Sequence, residues 1–445
     1  MKNPLRFFIQ APARTLITDS VQIDRLYKSS RFRIMMAITV GYGIAYTCRL
    51  PLSVVKKPLI DGGILDATEL GMIGSALFYG YALGKLTNGF LADHADIKKF
   101  FATGVLLSAL VNLAMGRSEL LWVWIVLWGL NGWFQGFGAP TGAVALSQWF
   151  SNKERGRLYG IWSTGHALGE GLTFIGSGAL VSFFGWQAGF WGPGLFCVFT
   201  AAGIYFMMQD RPKSLGLPDI ATWKNDHGEL HHEGGTWQAQ LSILKKPTIW
   251  ILGLSSATMY VTRYAINSWG VLYLQESKGY SLIEAGGILG LNTIAGLLGC
   301  VAYGYISDKL FAARRPPVTL IFGMIEVVSL FVIFFAAPGQ PVLLTTAFVV
   351  YGFTLSGLLA ALGGLFAIDI SPKNAAGAAM GFIGVFSYMA AGVQDQISGY
   401  LIEQGMTMVD GVRHYDFSAA IAFWIGGSVL SMLLAATLWR MKVSD

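Results

Sequence analysis

Twelve apolar stretches of bilayer-spanning length run through the sequence, and this feature constrains the fold more than any other. They lie near 34–55, 70–92, 99–116, 120–148, 156–184 and 187–208, then near 248–274, 282–307, 317–337, 341–367, 375–402 and 416–439. A helix needs roughly 20 mostly apolar residues to cross the hydrocarbon core. Of the 445 residues, 54% are apolar, which supplies about twelve such helices. Within lipid every backbone polar group must be satisfied internally, which favours helices. Charged residues are only 13%, about half the ~25% of a soluble globular protein. The fold class is therefore an all-α membrane protein with twelve transmembrane helices. A soluble enzyme, a disordered chain, a coiled coil and a disulfide scaffold are excluded. Cys48, Cys197 and Cys300 all fall in apolar stretches and suggest neither a disulfide framework nor a metal site. The net charge of +6 fits basic loops on one side of a membrane, and no separate basic domain points to nucleic acid.

The stretches divide into two sets of six. Residues 1–33 are polar and basic, without the apolar core of a leader, and read as a cytoplasmic N-terminal segment. The first half spans 34–208 and the second 248–439, with 440–445 as a tail. The polar stretch 209–247 reads as a cytoplasmic linker. Its His227, His231 and His232 are read as belonging to a solvated loop rather than a metal site. Basic residues fix the expected orientation. With the N-terminus inside, the inner loops and linker hold twenty-three lysines and arginines, and the outer loops only Lys56, Lys57, Arg117, Lys278 and Arg413. That asymmetry puts both termini in the cytoplasm. The halves also look like repeats. Gly89-Phe-Leu-Ala-Asp93 matches Gly304-Tyr-Ile-Ser-Asp308 at an offset of 215 residues, and Arg49 and Arg263 are 214 apart. Internal duplication with a site at the interface between repeats is a common architecture of secondary transporters.

Three basic residues remain inside the spans: Arg49, Lys85 and Arg263. A charge near the middle of a bilayer costs about 2.5–3.5 kcal/mol on insertion scales. These three should face a water-filled cavity or a partner, unless their long stems snorkel to the interface. Two arginines at equivalent repeat positions are expected to face each other across a central cavity, where something anionic must sit between them. Guanidinium forks suit bidentate phosphate or carboxylate, and Lys85 as a third cation favours phosphate. His166, one turn before Glu170, either donates to a phosphate or is a packed histidine. Tyr42, Tyr46, Tyr79, Tyr81, Tyr264 and Tyr388 lie along the same spans and either contact substrate oxygens or pack in the core. Glu170, Glu326 and Asp395 are acids within spans: proton carriers, partners of the cations, or protonated at rest. The glycines of the Gly89–Asp93 and Gly304–Asp308 motifs are expected to permit close helix contact, and their aspartates to cap or pair across a loop, as hinges that hold one conformation. No Walker motif, metal cluster or nucleophile–base pair is present, so neither an enzyme nor a cofactor is expected.

Several segments are similar to the organophosphate:phosphate antiporter family of the major facilitator superfamily, over about 24–441. They are Gly41-Tyr-Gly-Ile-Ala-Tyr-Thr-Cys-Arg49, Tyr81-Ala-Leu-Gly-Lys85 with Gly89–Asp93, Asn131-Gly-Trp-Phe-Gln-Gly-Phe-Gly-Ala-Pro140 and Lys153-Glu-Arg-Gly156. Further along are Ile161-Trp-Ser-Thr-Gly-His166, Asp210-Arg-Pro-Lys-Ser-Leu-Gly-Leu-Pro218, Tyr260-Val-Thr-Arg263-Tyr-Ala-Ile-Asn-Ser-Trp269 and Ser371-Pro-Lys-Asn-Ala-Ala-Gly377. The resemblance implies the major facilitator fold, in two pseudo-symmetric six-helix halves in a cell inner membrane. It implies exchange of inorganic phosphate for a small organic phosphate, with Arg49 and Arg263 on the phosphoryl group and His166 and Lys85 assisting. This chain departs from the family pattern at Leu50, commonly lysine, at Ser268, often aspartate, and at Thr293, often an acid. Glu170 and Asp395 stand where family members usually carry small or uncharged residues. The leading expectation is an alternating-access antiporter. The alternatives are a sugar-phosphate sensor signalling to a membrane histidine kinase, and a proton-coupled symporter using Glu170 or Asp395.

Overall fold

The computed structural model describes residues 7–117, 119–225, 245–311, 314–366, 376–409 and 412–439, apart from a few side chains. The linker histidines, Lys373 and the Ser371–Gly377 segment's loop, and Arg440 and Lys442 lie outside the described residues. The described residues form twelve long helical spans in series. Span 1 is two helices, Ser20–Tyr46 and Pro51–Asp61; span 2 is Ala67–His94; span 3 is Ile97–Met115. Span 4 is again broken, Leu121–Gln135 and Gly138–Trp149. Span 5 runs Asn152–Leu172, then a π-turn at Thr173–Ser177, then Gly178–Phe184; span 6 is Ala188–Met207. Spans 7 to 9 are Pro247–Lys278, Leu282–Leu310 and Arg315–Phe335. Span 10, Pro341–Ala360, continues into a π-turn at Ala361–Leu365; span 11 is Ala376–Gln404 and span 12 is Ser418–Thr437.

Eight of the spans are long and apolar enough to cross a membrane on composition alone. The other four, spans 2, 4, 7 and 11, include those that carry Lys85, Arg263 and Asp395. Span 4 falls short on length rather than polarity, since its break leaves helices of 15 and 12 residues.

Local rules explain the element ends. Span 2 starts with a capping box, Asp66 with Glu69, and span 8 with another, Ser281 with Glu284. Both pairs lie 215 residues apart, the offset of the Gly–Asp motifs. Each side chain closes a backbone N–H that the first helical turn leaves free. The repeat also places Gly84 against the Trp133 carbonyl, where a Cβ would come within 2.9 Å, and Gly299 against the Phe353 carbonyl. Only glycine lets these backbones cross so closely.

Two departures from the sequence reading stand out. Spans 11 and 12 are joined by a short antiparallel hairpin, Met406–Val409 paired with Val412–Tyr415. Span 1 also continues well past residue 55. Lys56, placed above in an outer loop, is in fact inside the Pro51–Asp61 helix and 0% exposed.

The two halves meet at the side away from the chain termini. There the Ala67 N–H donates to Glu403 Oε2 (3.0 Å) and Ser75 Oγ donates to the Gly392 carbonyl (2.7 Å), joining spans 2 and 11. Lys57 pairs with Glu276, joining spans 1 and 7. A Cβ on Gly286 of span 8 would come within 2.5 Å of the Phe174 carbonyl of span 5. Toward the terminal side the same spans leave open space beside their glycines. Among the described residues, no atom comes within 4 Å of a Cβ built on Gly89, Gly160, Gly304 or Gly381 of spans 2, 5, 8 and 11. The expected close contact at Gly89 and Gly304 is therefore not made among the described residues, where both glycines border open space.

On the terminal side, Asp210 ties the start of the linker to the first half. Its carboxylate accepts from the Ala11 N–H (3.0 Å) and the Ile97 N–H (3.1 Å), and the Asp210 carbonyl accepts from Trp149 Nε1 (3.0 Å). Arg211 donates to the carbonyl of Asp93 (2.8 Å). Asp308 pairs with Arg315 across the loop between spans 8 and 9 (2.6 Å).

Candidate functional site

The site is built around the break in span 1. Pro51 has no N–H, so the helix ending at Tyr46 cannot run on with its bond pattern intact, and a new helix starts with proline in its first turn. The break at 47–50 interrupts the regular helical bonding of nearby carbonyls, and spans 3 and 4 supply side-chain donors to them. The Cys48 carbonyl accepts from Asn131 Nδ2 (2.8 Å) and Asn112 Nδ2 (3.0 Å), and the Ala45 carbonyl accepts from Gln135 Nε2 (2.8 Å). Ser108 links the amides, donating to Asn131 Oδ1 (2.6 Å) and accepting from Gln135 (2.8 Å). Asn131→Leu should therefore destabilise the protein by about 1–3 kcal/mol, the cost of stripping partners from buried polar groups. A thermal melt in detergent reads this directly, and an unchanged midpoint would mean that the network does not hold the break.

Arg49 sits on this break and is 2% exposed. Its guanidinium lies over the rings of Tyr81 (4.0 Å), Tyr46 (4.9 Å) and Tyr388 (5.3 Å), and Nη2 donates to the Tyr264 hydroxyl (3.4 Å). Nε and Nη1 are buried without a protein partner. Aromatic faces attract a cation, but they leave its N–H donors unused. The arrangement suits a small oxyanion. Lys85 lies near the same Tyr388 ring, with Nζ 5.3 Å from its centroid, and among the described residues it makes no ion pair. It faces span 11 at Gly384, where a Cβ would come within 3.2 Å of Nζ.

Arg263 is different. It sits mid-helix in span 7, 7% exposed, and its Nη2 is 2.8 Å from Glu170 Oε1 on span 5. This ion pair crosses between the halves. The two arginines do not face each other across an empty gap: Tyr264 touches both, its ring 5.3 Å from the Arg263 guanidinium and its hydroxyl on Arg49. Arg263 already has a counter-ion. His166 lies one turn from Glu170, its ring 6.0 Å from that of Tyr46. Tyr42 packs on Tyr46 (5.9 Å) and Trp162 (5.6 Å).

The structure thus brings Arg49, Lys85, Arg263, Glu170, His166, Tyr42, Tyr46, Tyr264 and Tyr388 to one junction. Tyr260 belongs there too, its ring 5.4 Å from that of Tyr388 and 5.5 Å from the Arg263 guanidinium. Its spacing of three residues before Arg263 on one helix was the available signal. Asp395 does not join this group. It is 0% exposed at the closed side, accepting from Ser268 Oγ (2.6 Å) and Trp269 Nε1 (2.5 Å), with Lys56 Nζ at 3.7 Å. Lys56 also donates to Ser268 (3.0 Å) and lies over the Trp269 ring. Gly74 of span 2 leaves room for the carboxylate, which a Cβ there would strike. Glu326 is buried in span 9, with Oε1 unpartnered among the described residues. Gly89, Asp93, Gly304 and Asp308 stand at the terminal ends of their spans, away from the junction.

Comparison with known proteins is consistent along the chain. A family model described as Major Facilitator Superfamily matches residues 29–394. The membrane sensor protein UhpC of Salmonella typhimurium is 33% identical over 439 residues, covering 96% of each chain. A probable hexose phosphate transport protein of Chlamydia pneumoniae is 32% identical, covering 86% of this chain and 88% of its own. The glycerol-3-phosphate transporter of Haemophilus influenzae is 29% identical, covering 93% and 92%. Among solved structures, a bacterial homolog of the human lysosomal transporter Spinster, inward-facing and unoccupied, superposes with a TM-score of 0.72 at 17% identity. It covers 93% of this chain and 95% of its own.

Proposed function

Because this multi-pass membrane protein belongs to the major facilitator superfamily, and within it to the organophosphate:phosphate antiporter family, we propose that it exchanges a small organic phosphate for inorganic phosphate. The family is one of transporters, not enzymes. The observation that carries the reading is Arg49, a buried guanidinium with two nitrogens unpartnered in a tyrosine-lined junction of the halves. In this reading Arg49 takes the phosphoryl group as a fork, Lys85 adds a point charge, and His166 and Arg263 complete the pocket. Tyr42, Tyr46, Tyr264 and Tyr388 line the organic moiety.

The basic terminal side is cytoplasmic and the membrane is the cell inner membrane. With Lys56 buried, four basic residues remain at the outer side against twenty-three at the inner side. The conformation, closed at Lys57–Glu276 and apart at Gly89 and Gly304, is then the one open to the cytoplasm. Alternating access would close the Gly–Asp ends and open the other. Glu170 and Asp395 are held by Arg263 and Lys56, which leaves neither as a free proton carrier, so we do not propose symport.

Proteoliposomes test the proposal. Labelled phosphate should enter only vesicles preloaded with phosphate or a phosphate ester. Uptake of equal size into empty vesicles would refute exchange. One observation favours a second reading: the 33% identity to membrane sensor proteins in two species. Saturable phosphate-ester binding with no exchange would assign a receptor, with a membrane histidine kinase as its partner.

A further inference from the structure

We infer that Glu170 makes this site selective for phosphate monoesters whose organic part is uncharged, and against esters that carry a further carboxylate. The inference rests on the anion-site reading above and adds the charge of the substrate's organic part.

Three cations reach the junction: Arg49, Lys85 and Arg263. Glu170 stands 2.8 Å from Arg263, and both side chains are buried. Arg263 is therefore matched before any substrate arrives. Arg49 and Lys85 remain unmatched among the described residues, which leaves two positive charges. A phosphate monoester carries about −1.5 to −2 at neutral pH, so it balances them. A second anionic group on the same small molecule would find no free cation. It would also share a poorly solvated space with Glu170, where like charges repel strongly. If the phosphoryl group instead reaches Arg263 by displacing Glu170, the carboxylate still stays in the junction, anchored to span 5, and the count is unchanged. Hydroxyl groups suit the same surroundings. Glu170 can accept from them, and the remaining guanidinium N–H groups and tyrosine hydroxyls can donate.

Two esters of the same carbon skeleton isolate the effect: glycerol 3-phosphate ends in a hydroxymethyl group and 3-phosphoglycerate in a carboxylate. Each competes with labelled inorganic phosphate for the purified full-length protein in lipid nanodiscs. The native protein should bind glycerol 3-phosphate at least about tenfold more tightly, since placing like charges together is what specificity by repulsion uses. Glu170→Gln keeps the side chain's shape and its acceptor oxygen toward Arg263 but removes the charge. It should narrow that preference at least about threefold or reverse it, with 3-phosphoglycerate gaining most. Glu170→Asp keeps the charge and should keep the native order. The inference is overturned if the native protein binds both esters equally, a comparison that needs no variant, or if Glu170→Gln leaves the ratio unchanged. If the native protein binds neither ester nor phosphate, the anion-site reading itself fails, and this inference with it. Equal binding of the two esters removes only the inference.

Discussion

Arg49→Lys is expected to reduce phosphate exchange by about 100-fold or more while leaving the protein folded. The charge is kept, so the effect isolates what the guanidinium fork supplies. Lysine offers a compact ammonium on a flexible stem and cannot present two parallel donors to one oxyanion. Each charge-assisted hydrogen bond lost is worth about 1.5–3 kcal/mol, and two of them amount to about 3–6 kcal/mol, or two to four decades. Lysine also gives up the placement of the guanidinium over the Tyr81 and Tyr46 rings. Arg263→Lys should cost less, because Arg263 already spends donors on Glu170, a partner that lysine can also satisfy. The readout is the initial rate of labelled phosphate counterflow, paired with a melt to verify folding. A rate for Arg49→Lys within threefold of native would remove Arg49 from the centre of the site.

The second large effect is expected at the closed side. Lys56 and Asp395 are each 0% exposed and 3.7 Å apart, on spans 1 and 11. Removing one member of a buried pair strands the other charge without water, at a cost of about 3–5 kcal/mol. Lys56→Met and Asp395→Asn should each lower the melting temperature markedly. The double variant should recover most of the loss, since the stranded charge is gone and the remaining groups are neutral. Two single variants that melt with the native protein, or a double variant no better than the singles, would show that the pair does not close this end.

The spans and their duplication were legible because hydropathy and a fixed offset are properties of the linear sequence. The offset of 215 residues seen at Gly89 and Gly304 recurs in the capping residues Asp66 and Ser281 and in the crossing glycines Gly84 and Gly299. Arg49, Lys85 and Arg263 were legible for the same reason: a charge within an apolar run is conspicuous. Lys56 was not, because it follows the apparent end of an apolar run, where a lysine reads as a loop. Pro51 was the overlooked signal, since a proline there starts a second helix that carries the chain on to Asp61. The pairing of Arg263 with Glu170 joins residues 93 apart in sequence, and that of Lys56 with Asp395 joins residues still farther apart. Such contacts depend on how the halves dock, which no local pattern encodes. The hairpin at Met406–Tyr415 had a local signal in Asp410-Gly411, a dipeptide favoured in tight hairpin turns.

The charges of the junction are divided unequally between the halves. Arg49, Lys85, His166 and Glu170 all belong to spans 1, 2 and 5, and the bonds that fix the break under Arg49 come from spans 3 and 4. Among the described residues the second half brings Arg263 to the junction, on a wall of tyrosines. If the proposed alternating access is a rigid rocking of one half against the other, it leaves the first four groups fixed in a common frame and displaces the Arg263 charge through their field. The electrostatic work of that proposed transition at the junction would then follow the distance from Arg263 to that constellation, which begins from the 2.8 Å contact with Glu170.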